Sequence, residues 1–368
     1  MATMREVARA AGVSIATVSF VVNNTKPVTP DTRRRIERAM ADLGFRRNMV
    51  ARALASRRTQ IVALVCPFSA DRMAPTMREF IIGAARAAKE SDHHLVIWPV
   101  SNDGEELGTL LGQKLVDGVL VMDVQMDDAR VELLRQMDTP FALIGRTRDL
   151  TGLHYLDIDI AASVRMAMDH LAGLGHRKIA FVNGRQEPDG FGGFGPYVRS
   201  EQAYRALAED RRTKPVVLQC RQSVRAGQEV AGELLATAPE TTAVIIGDEA
   251  AAPGLIAELT RRGRSVPGDI SVLSLLSSVD VAAMCNPPLT TVTAPGIELG
   301  RLGVEALICL LDGTAPATPV LRTGVLALGE STGPVRRGSG QSVRRRRAAG
   351  TSPTPRRRPA HTDAAGGE

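Results

Sequence analysis

Between Ser14 and Asn23 small hydroxylated and apolar side chains are interleaved at a spacing that suits a helix. At that pitch Val18, Val21 and Val22 fall on one side. Ile15, Ala16, Thr17, Ser19, Phe20 and Asn23 fall on the other. The hydroxyls of Thr17 and Ser19 suit phosphate oxygens, contacts that set register without reading sequence. Other candidate chemistry is weaker. Gly190-Phe-Gly-Gly-Phe-Gly195 satisfies G-x-G-x-x-G with Asp210 twenty residues on, a dinucleotide pattern. Its glycines begin about seven residues past the expected strand end, Pro196-Tyr197 interrupts helix entry, and Asp210 falls at a helix end, so a loop over a cleft is expected instead. His93 and His94 are adjacent, diverge on any regular element and cannot converge on one metal. Asp157 and Asp159 would fall on the same side of a strand, but two acids at a lobe crossing are more often structural. No G-x-S-x-G, P-loop or H-E-x-x-H occurs, so neither an enzyme, a cofactor nor a metal is expected.

The elements that must position the first face are three short helices in residues 1–45. Thr3 and Glu6 form a capping box for the first, with Val7, Ala8 and Ala11 on one face and Gly12 as its stop. Ser14 caps the second, and Asn23-Asn24 end it. Thr29-Pro30 start the third, with Ile36, Met40 and Leu43 inward and Gly44 closing it. Two helices on a tight Gly-containing turn with a third beneath make a helix-turn-helix.

From Ile61 short apolar runs alternate with amphipathic stretches. The runs are Ile61–Cys66, Leu95–Val100, Gly118–Met122, Phe141–Ile144, Lys178–Val182, Val216–Gln219, Ala243–Ile246 and Ile270–Leu276. Continuous apolar strands between helices imply doubly wound parallel sheets covered on both faces, and the length favours two lobes. A ligand would sit at the carboxyl ends of the strands, between the lobes. The expected organisation is a head at 1–45, a linker at 46–59, a core at 60–332 and a disordered Arg-rich tail at 333–368. Charge follows it: residues 1–60 carry a net +8, residues 333–368 a net +7 and the body a net −9. Basic ends around an acidic body point to polyanion contacts, although the tail can also be read as a solvated charge run. Four scattered cysteines, a Met1–Ala11 segment without an apolar run, and the lack of any apolar stretch of membrane-spanning length lead us to expect a cytoplasmic protein without membrane association.

Ala11-Gly-Val-Ser-Ile-Ala-Thr-Val-Ser19 followed by Asn23 resembles the head of the lactose-repressor (LacI/GalR) family. So do Val28-Thr-Pro-Asp-Thr-Arg33 and Leu43-Gly-Phe45, and the hinge-like Asn48-x-x-Ala51-x-x-Leu54. Leu174-Gly-His-Arg-Lys-Ile-Ala-Phe-Val182, Val266-Pro-Gly-Asp-Ile-Ser-Val272, Pro287-Pro-Leu-Thr-Thr-Val292 and Glu298-Leu-Gly300 are similar to family signatures, so the resemblance spans roughly residues 2–332. It implies an all-α helix-turn-helix head on an α/β periplasmic-binding-protein-like core, acting as a homodimer on double-stranded DNA at a pseudo-palindromic operator. It further implies allosteric control of repression by a small-molecule effector, commonly a sugar or nucleoside. Thr3, Ser14, Ile15, Ala16, Thr17, Ser19, Phe20 and Asn23 match the DNA-contacting head, with Ile15, Ala16 and Phe20 at base-reading positions. Phe20 stands where the family often has Arg, so this helix either reads thymine methyls and groove shape, or buries Phe20 and reads less. In the hinge, Asn48, Ala51 and Leu54 match, and Leu54 corresponds to the leucine wedged into the minor groove. Arg47 replaces the proline usual before the hinge Asn. Arg46, Arg47, Arg52, Arg57 and Arg58 are expected on phosphates.

For the effector, Asp248 matches the family's ligand-binding acid, preceded by Gly247 where Asn is usual. Ser200 occupies the usual Arg position, with Arg199 one residue off. Ser274-Leu-Leu-Ser-Ser278 replaces a Gly-Phe-Asp-Asp stretch and loses two polar partners. Phe68, Trp98 and Asp159 are further candidates near strand ends, Trp98 being either core or a stacking platform.

Overall fold

The computed structural model of the chain describes residues 2–23, 26–45, 58–67, 75–185 and 192–336. The head is three helices, α1 (Met4–Ala11), α2 (Ile15–Asn23) and α3 (Pro30–Asp42). The Glu6 amide donates to Thr3 Oγ1 and the Thr3 amide to the Glu6 carboxylate, completing the expected box. Gly12 turns the chain at φ 62°, a conformation costly for any residue with a Cβ. Ser14 accepts from the Thr17 amide at 3.1 Å and Thr29 from the Thr32 amide at 3.3 Å, so α2 and α3 are also capped by hydroxyls. Val7, Ala8, Ala11, Val18, Val21, Val22, Ile36 and Ala39 form the buried centre. Leu43 was expected there, but it is 41% exposed; the α3 helix ends one residue earlier, and Phe45 packs inward in its place.

The rest is two six-stranded sheets. The first lobe holds β1 (Ile61–Cys66), β2 (His94–Pro99), β3 (Gly118–Val121), β4 (Phe141–Ile144), β5 (Tyr155–Ile158) and, from far along the chain, β11 (Val320–Arg322), in the order β11-β5-β4-β3-β1-β2. The second holds β6 (Ile179–Gly184), β7 (Val216–Cys220), β8 (Ala243–Ile246), β9 (Ser271–Ser277), β10 (Thr290–Thr293) and β12 (Leu326–Ala327), in the order β12-β10-β9-β8-β6-β7. All neighbours pair in parallel except β12 with β10. The eight expected strands are present, and β5, β10, β11 and β12 were not foreseen. Their residues are too polar or too few to read as apolar runs: β10 is Thr-Thr-Val-Thr and β12 is two residues long.

Strand side chains alternate between the sheet faces. In β1, Val62, Leu64 and Cys66 join one core with helices α4 (Met77–Glu90) and α12 (Gly296–Leu311). Ala63 and Val65 join another with α5 (Glu105–Gly112) and α6 (Ala129–Gln136). The first of these cores continues into the second lobe, through α7 (Ile160–Gly173), α8 (Gly195–Asp210), Phe181 and Ile245. The far face of the second lobe is covered by α9 (Val224–Thr237), α10 (Ala252–Arg261) and α11 (Val279–Ala283). The chain passes between lobes three times: after β5, after β10 and between β11 and β12.

Two expected boundaries move. Arg58, expected on DNA phosphate, donates to Asp312 at 3.1 Å and to the Leu311 carbonyl at 2.6 Å, and Thr59 and Gln60 donate backbone N–H to Asp117. The core therefore begins at Arg58 rather than residue 60. At the other end, Gly333–Arg336 were expected to be disordered but run along the second lobe. Buried His176 bonds the Gly333 carbonyl, the Val335 amide donates to Leu174, and Arg336 pairs with Asp269 at 3.2 Å. Asn48, Ala51 and Leu54, together with Arg46, Arg47, Arg52, Arg57 and the tail beyond Arg336, lie outside the described residues. Among the described residues no helix is long and apolar enough to cross a membrane.

Candidate nucleic-acid face and inter-lobe cleft

On α2 the buried residues are Val18, Val21 and Val22, and the opposite side is open: Ile15 and Ala16 are exposed, Thr17, Ser19 and Phe20 half-buried. Ile15, Ala16, Ser19 and Phe20 recur at the spacing of one helix face, so one rod carries apolar tips and a hydroxyl side by side. Of the two readings of Phe20, burial in the head core is not what the structure has. The ring lies outside that cluster, with Lys26 Nζ 5.2 Å from its centroid. A cation over the ring adds positive charge to the same face. Thr3 and Ser14 sit at the N-termini of α1 and α2, where their hydroxyls are committed to capping. Asn23 closes α2.

Between the lobes lies a cleft with about 170 Å³ open to water-sized molecules. Its walls come from the carboxyl ends of the parallel strands, as expected for open α/β sheets. Met122 and Asp123 follow β3, Ile144 ends β4 and Gly145 follows it, Asp157 lies in β5, and Asn183 in β6. Gln222 follows β7, Asp248 and Glu249 follow β8, and Leu275 and Leu276 lie just before Ser277, which closes β9. The start of α8 adds Phe194, Tyr197 and Ser200. Leu276 has φ 59° and is skipped in the β9–β10 register, a bulge at the lip of the cleft.

Asp248 is 3% exposed. Its Oδ1 accepts from the Ala250 and Ala251 amides at 3.0 and 3.2 Å, and its Oδ2 from the Tyr197 hydroxyl at 3.2 Å. Burial pushes the carboxyl up to about 6, although these hydrogen bonds pull the other way. Tyr197 Oη in turn accepts from Gln222 Nε2 at 2.6 Å, and burial raises its hydroxyl well above the usual range. The ring lies close against β6, where only glycine fits: a Cβ on Gly184 would stand 1.9 Å from it. Asn183 anchors the same turn through Nδ2 to the Tyr197 carbonyl and Oδ1 from the Gly184 amide, and its Oδ1 lies 3.4 Å from where a Cβ on Gly247 would be.

The cleft is clasped from both lobes. The Thr76 amide and hydroxyl, before α4, donate to Glu249 at 2.7 and 2.5 Å, and Ser277 donates to the same carboxylate at 2.7 Å. Arg199 reaches from α8 to Asp157 at 3.1 Å and to the Arg146 carbonyl at 3.0 Å, and Arg146 also pairs with Asp157 at 3.2 Å. The Gly195 amide donates to Val124, and Gly193 accepts from the Met126 amide. The second half of the glycine-rich motif is thus a strap between lobes, not a phosphate cradle, and Asp210 ends α8 as expected.

The expected effector residues fare unequally. Asp248 lines the cleft. Arg199 is a correction: it stands behind the wall and holds Asp157, because a one-residue offset on α8 turns it toward the first lobe and leaves Ser200 facing in. Asp159 is another: its carboxylate caps α7 by accepting from the Ala162 amide at 3.0 Å. Trp98 packs with Ala63, Val65 and Val100 on the α5–α6 face, away from the cleft, because alternation on β2 sends it there. Phe68 lies outside the described residues. Asn183, Tyr197, Gln222, Glu249 and Thr76 were not singled out from sequence. Three of them, Asn183, Gln222 and Glu249, stand at or within three residues of a strand's carboxyl end, a signal that was available once strands were assigned. All three fully buried cysteines and half-buried Cys309 are free thiols.

Comparison with known proteins bears on both regions. Residues 3–48 match the bacterial regulatory proteins of the lacI family, and residues 168–332 match a periplasmic binding protein-like domain. The chain is 31% identical over 335 residues to the HTH-type transcriptional regulator CelR of Thermobifida fusca, covering 88% of this chain and 96% of that one. Its fold matches a transcriptional regulator CelR–cellobiose complex with a TM-score of 0.67 at 28% identity, over 90% of this chain and all of the other. It also matches a Lac repressor dimer bound to operator and the anti-inducer ONPF, with a TM-score of 0.77 at 24% identity over 90% and 99% of the two chains.

Proposed function

The chain belongs to the lacI family of bacterial regulatory proteins and is a helix-turn-helix transcriptional regulator; on that premise we propose that it is a dimeric repressor whose hold on a pseudo-palindromic operator is set by a small molecule between the lobes. The observation that carries this is the open face of α2. Ile15, Ala16, Ser19 and Phe20 stand on the side of a hydroxyl-capped helix that faces away from the head's buried centre, Ile15 and Ala16 exposed and Ser19 and Phe20 half-buried. That helix enters the major groove; Ile15, Ala16 and Phe20 meet thymine methyls, and Thr17 and Ser19 meet phosphates. Asn48, Ala51 and Leu54 form the hinge, with Leu54 as the minor-groove wedge.

The domains run as a head to residue 45, a hinge at 46–57 and a two-lobed core from Arg58 to Arg336. Ligand in the cleft biases the lobe angle through the groups that join the lobes, Thr76–Glu249 and Arg199–Asp157. It does so only as far as it binds one lobe arrangement better than the other. The relative that carries cellobiose supports a sugar-class effector, with nucleosides the neighbouring class. The protein works in the cytoplasm, where its DNA is.

The test is a gel shift of the full chain on DNA upstream of its own gene, across a salt series. Expected are a half-site-spaced footprint and affinity falling steeply with salt. Equal affinity for all fragments of the genome would overturn the reading.

A further inference from the structure

The aromatic side chain of α2 is held by a residue from outside the helix. Phe20 is half-buried and lies outside the head's buried centre. A long side chain on a helix surface has two staggered directions at χ1, and its contacts choose between them. The structure gives the ring a cation, Lys26 Nζ at 5.2 Å from the centroid. Lys26 stands six positions on, beyond the three- and four-residue pairing of a helix face, so the segment leading into α3 has to bring it there. That segment is well fixed. Pro27 confines the Lys26 backbone to extended conformations, Val28 packs against the head's buried centre, and Thr29 caps α3 through the Thr32 amide at 3.3 Å. Lys26 itself is exposed, so its contact with the ring is made at the surface of the head.

An exposed cation over a ring biases its orientation by about two- to fivefold. A methyl contact depends on that orientation, since a gap of about 0.5–1 Å already forfeits a quarter to a half of the attraction. Resting on α2 entering the major groove, we propose that Lys26 is a positioning residue for base recognition: it sets the Phe20 ring so that the ring meets a thymine methyl. Preference for thymine at that base pair then belongs to the Phe20–Lys26 pair rather than to Phe20 alone. A lysine that meets only phosphate behaves differently. It strengthens binding to every sequence alike and carries no base information.

The full-length protein first selects its preferred half-site from random duplexes. Each thymine of that site is then replaced by uracil, and the thymine read by Phe20 is the one whose methyl stops mattering in Phe20→Leu. At that position the parent is expected to prefer thymine by about fourfold, the worth of one buried methyl. Lys26→Ala lowers the preference to about twofold or less and leaves the other thymines as they were. Lys26→Arg, which keeps a cation able to stack on the ring, restores it. In the Phe20→Leu background Lys26→Ala has no further effect on base preference, so the two substitutions are non-additive. Three results overturn the proposal. One is a Lys26→Ala protein that binds all sequences more weakly by one factor, with its thymine preference intact and its salt slope reduced by about one. Another is a loss of preference that is the same with and without Phe20. The third is a selected site in which Phe20→Leu silences no thymine; there the regulator reading stands and this one falls. A full-length chain that selects no sequence at all removes both.

Discussion

The head and the inter-lobe cleft solve the problem of presenting a recognition surface in opposite ways. In the head, one helix carries both halves of the job: Val18, Val21 and Val22 hold it down while Ile15, Ala16, Ser19 and Phe20 face out. These outward groups sit within six residues of each other on a single element. In the cleft, the groups come from the ends of seven strands and the start of α8, and each is fixed by another: Gln222 holds Tyr197, Tyr197 holds Asp248, and Thr76 holds Glu249. A surface on one helix can change its specificity without disturbing its fold. A surface assembled from two lobes couples recognition to stability and to lobe geometry, and that coupling is what an allosteric site needs.

The sharpest way to separate the two regions is Ile36→Ala. Eight residues make up the head's buried centre, and Ile36 is fully buried among them. Deleting a buried isoleucine side chain costs about 2–5 kcal/mol, comparable to everything so small a core supplies. The expected result is lost operator binding in a gel shift while the core's calorimetric transition stays in place. Retained binding would mean the head draws stability from elsewhere.

Next in size is the pH response of the cleft. The Asp248 carboxyl ionises at 3.8 when unfolded and at about 6 in the fold, so the folded state holds the proton longer. Its favourable contribution is complete below 3.8 and is lost as pH rises through about 6, a difference of roughly 3 kcal/mol. Asp248→Asn removes that loss, so between pH 4 and 7 the variant should gain stability relative to the parent, read by denaturant melts across pH. Parallel curves would show that Asp248 does not titrate in this window.

Thr76→Val tests the clasp. It removes the hydroxyl that donates to Glu249 and leaves a buried carboxylate one donor short, at about 1–3 kcal/mol. Core melting should fall by that amount and the solution scattering profile should expand as the lobes part. The smallest effect belongs to the open face. Replacing single thymines by uracil in a half-site removes one methyl from Ile15, Ala16 or Phe20, worth about 0.8 kcal/mol per contact. Unchanged affinity at every position would remove the methyl-reading role.

The head was legible almost to the residue because its signals are local. The capping box, the Gly12 turn and the valine spacing each depend on neighbours within four positions. Leu43 was misplaced because a helix end is set by where the last turn packs, and Phe45 wins that position. In the core, β1, β3, β4 and β8 read as apolar runs because parallel strands are buried on both faces. Strand β10 did not, since its buried threonines satisfy their hydroxyls on Thr332 and the Ser274 carbonyl, partners no local pattern announces.

Sequence alone determined the parts list: three capped helices with an outward face, eight of the strands, the placing of an acid after β8, and the order in which basic and acidic regions follow. Only the tertiary structure decided which residues meet. It took Arg199 out of the cleft and gave it to Asp157, made Asp159 a helix cap and Trp98 core, and brought Thr76 to a carboxylate 173 positions away. The physical reason is range. Capping and periodicity act over one or two helical turns, whereas burial of a charge depends on whichever distant dipoles and guanidiniums the packed lobes bring beside it.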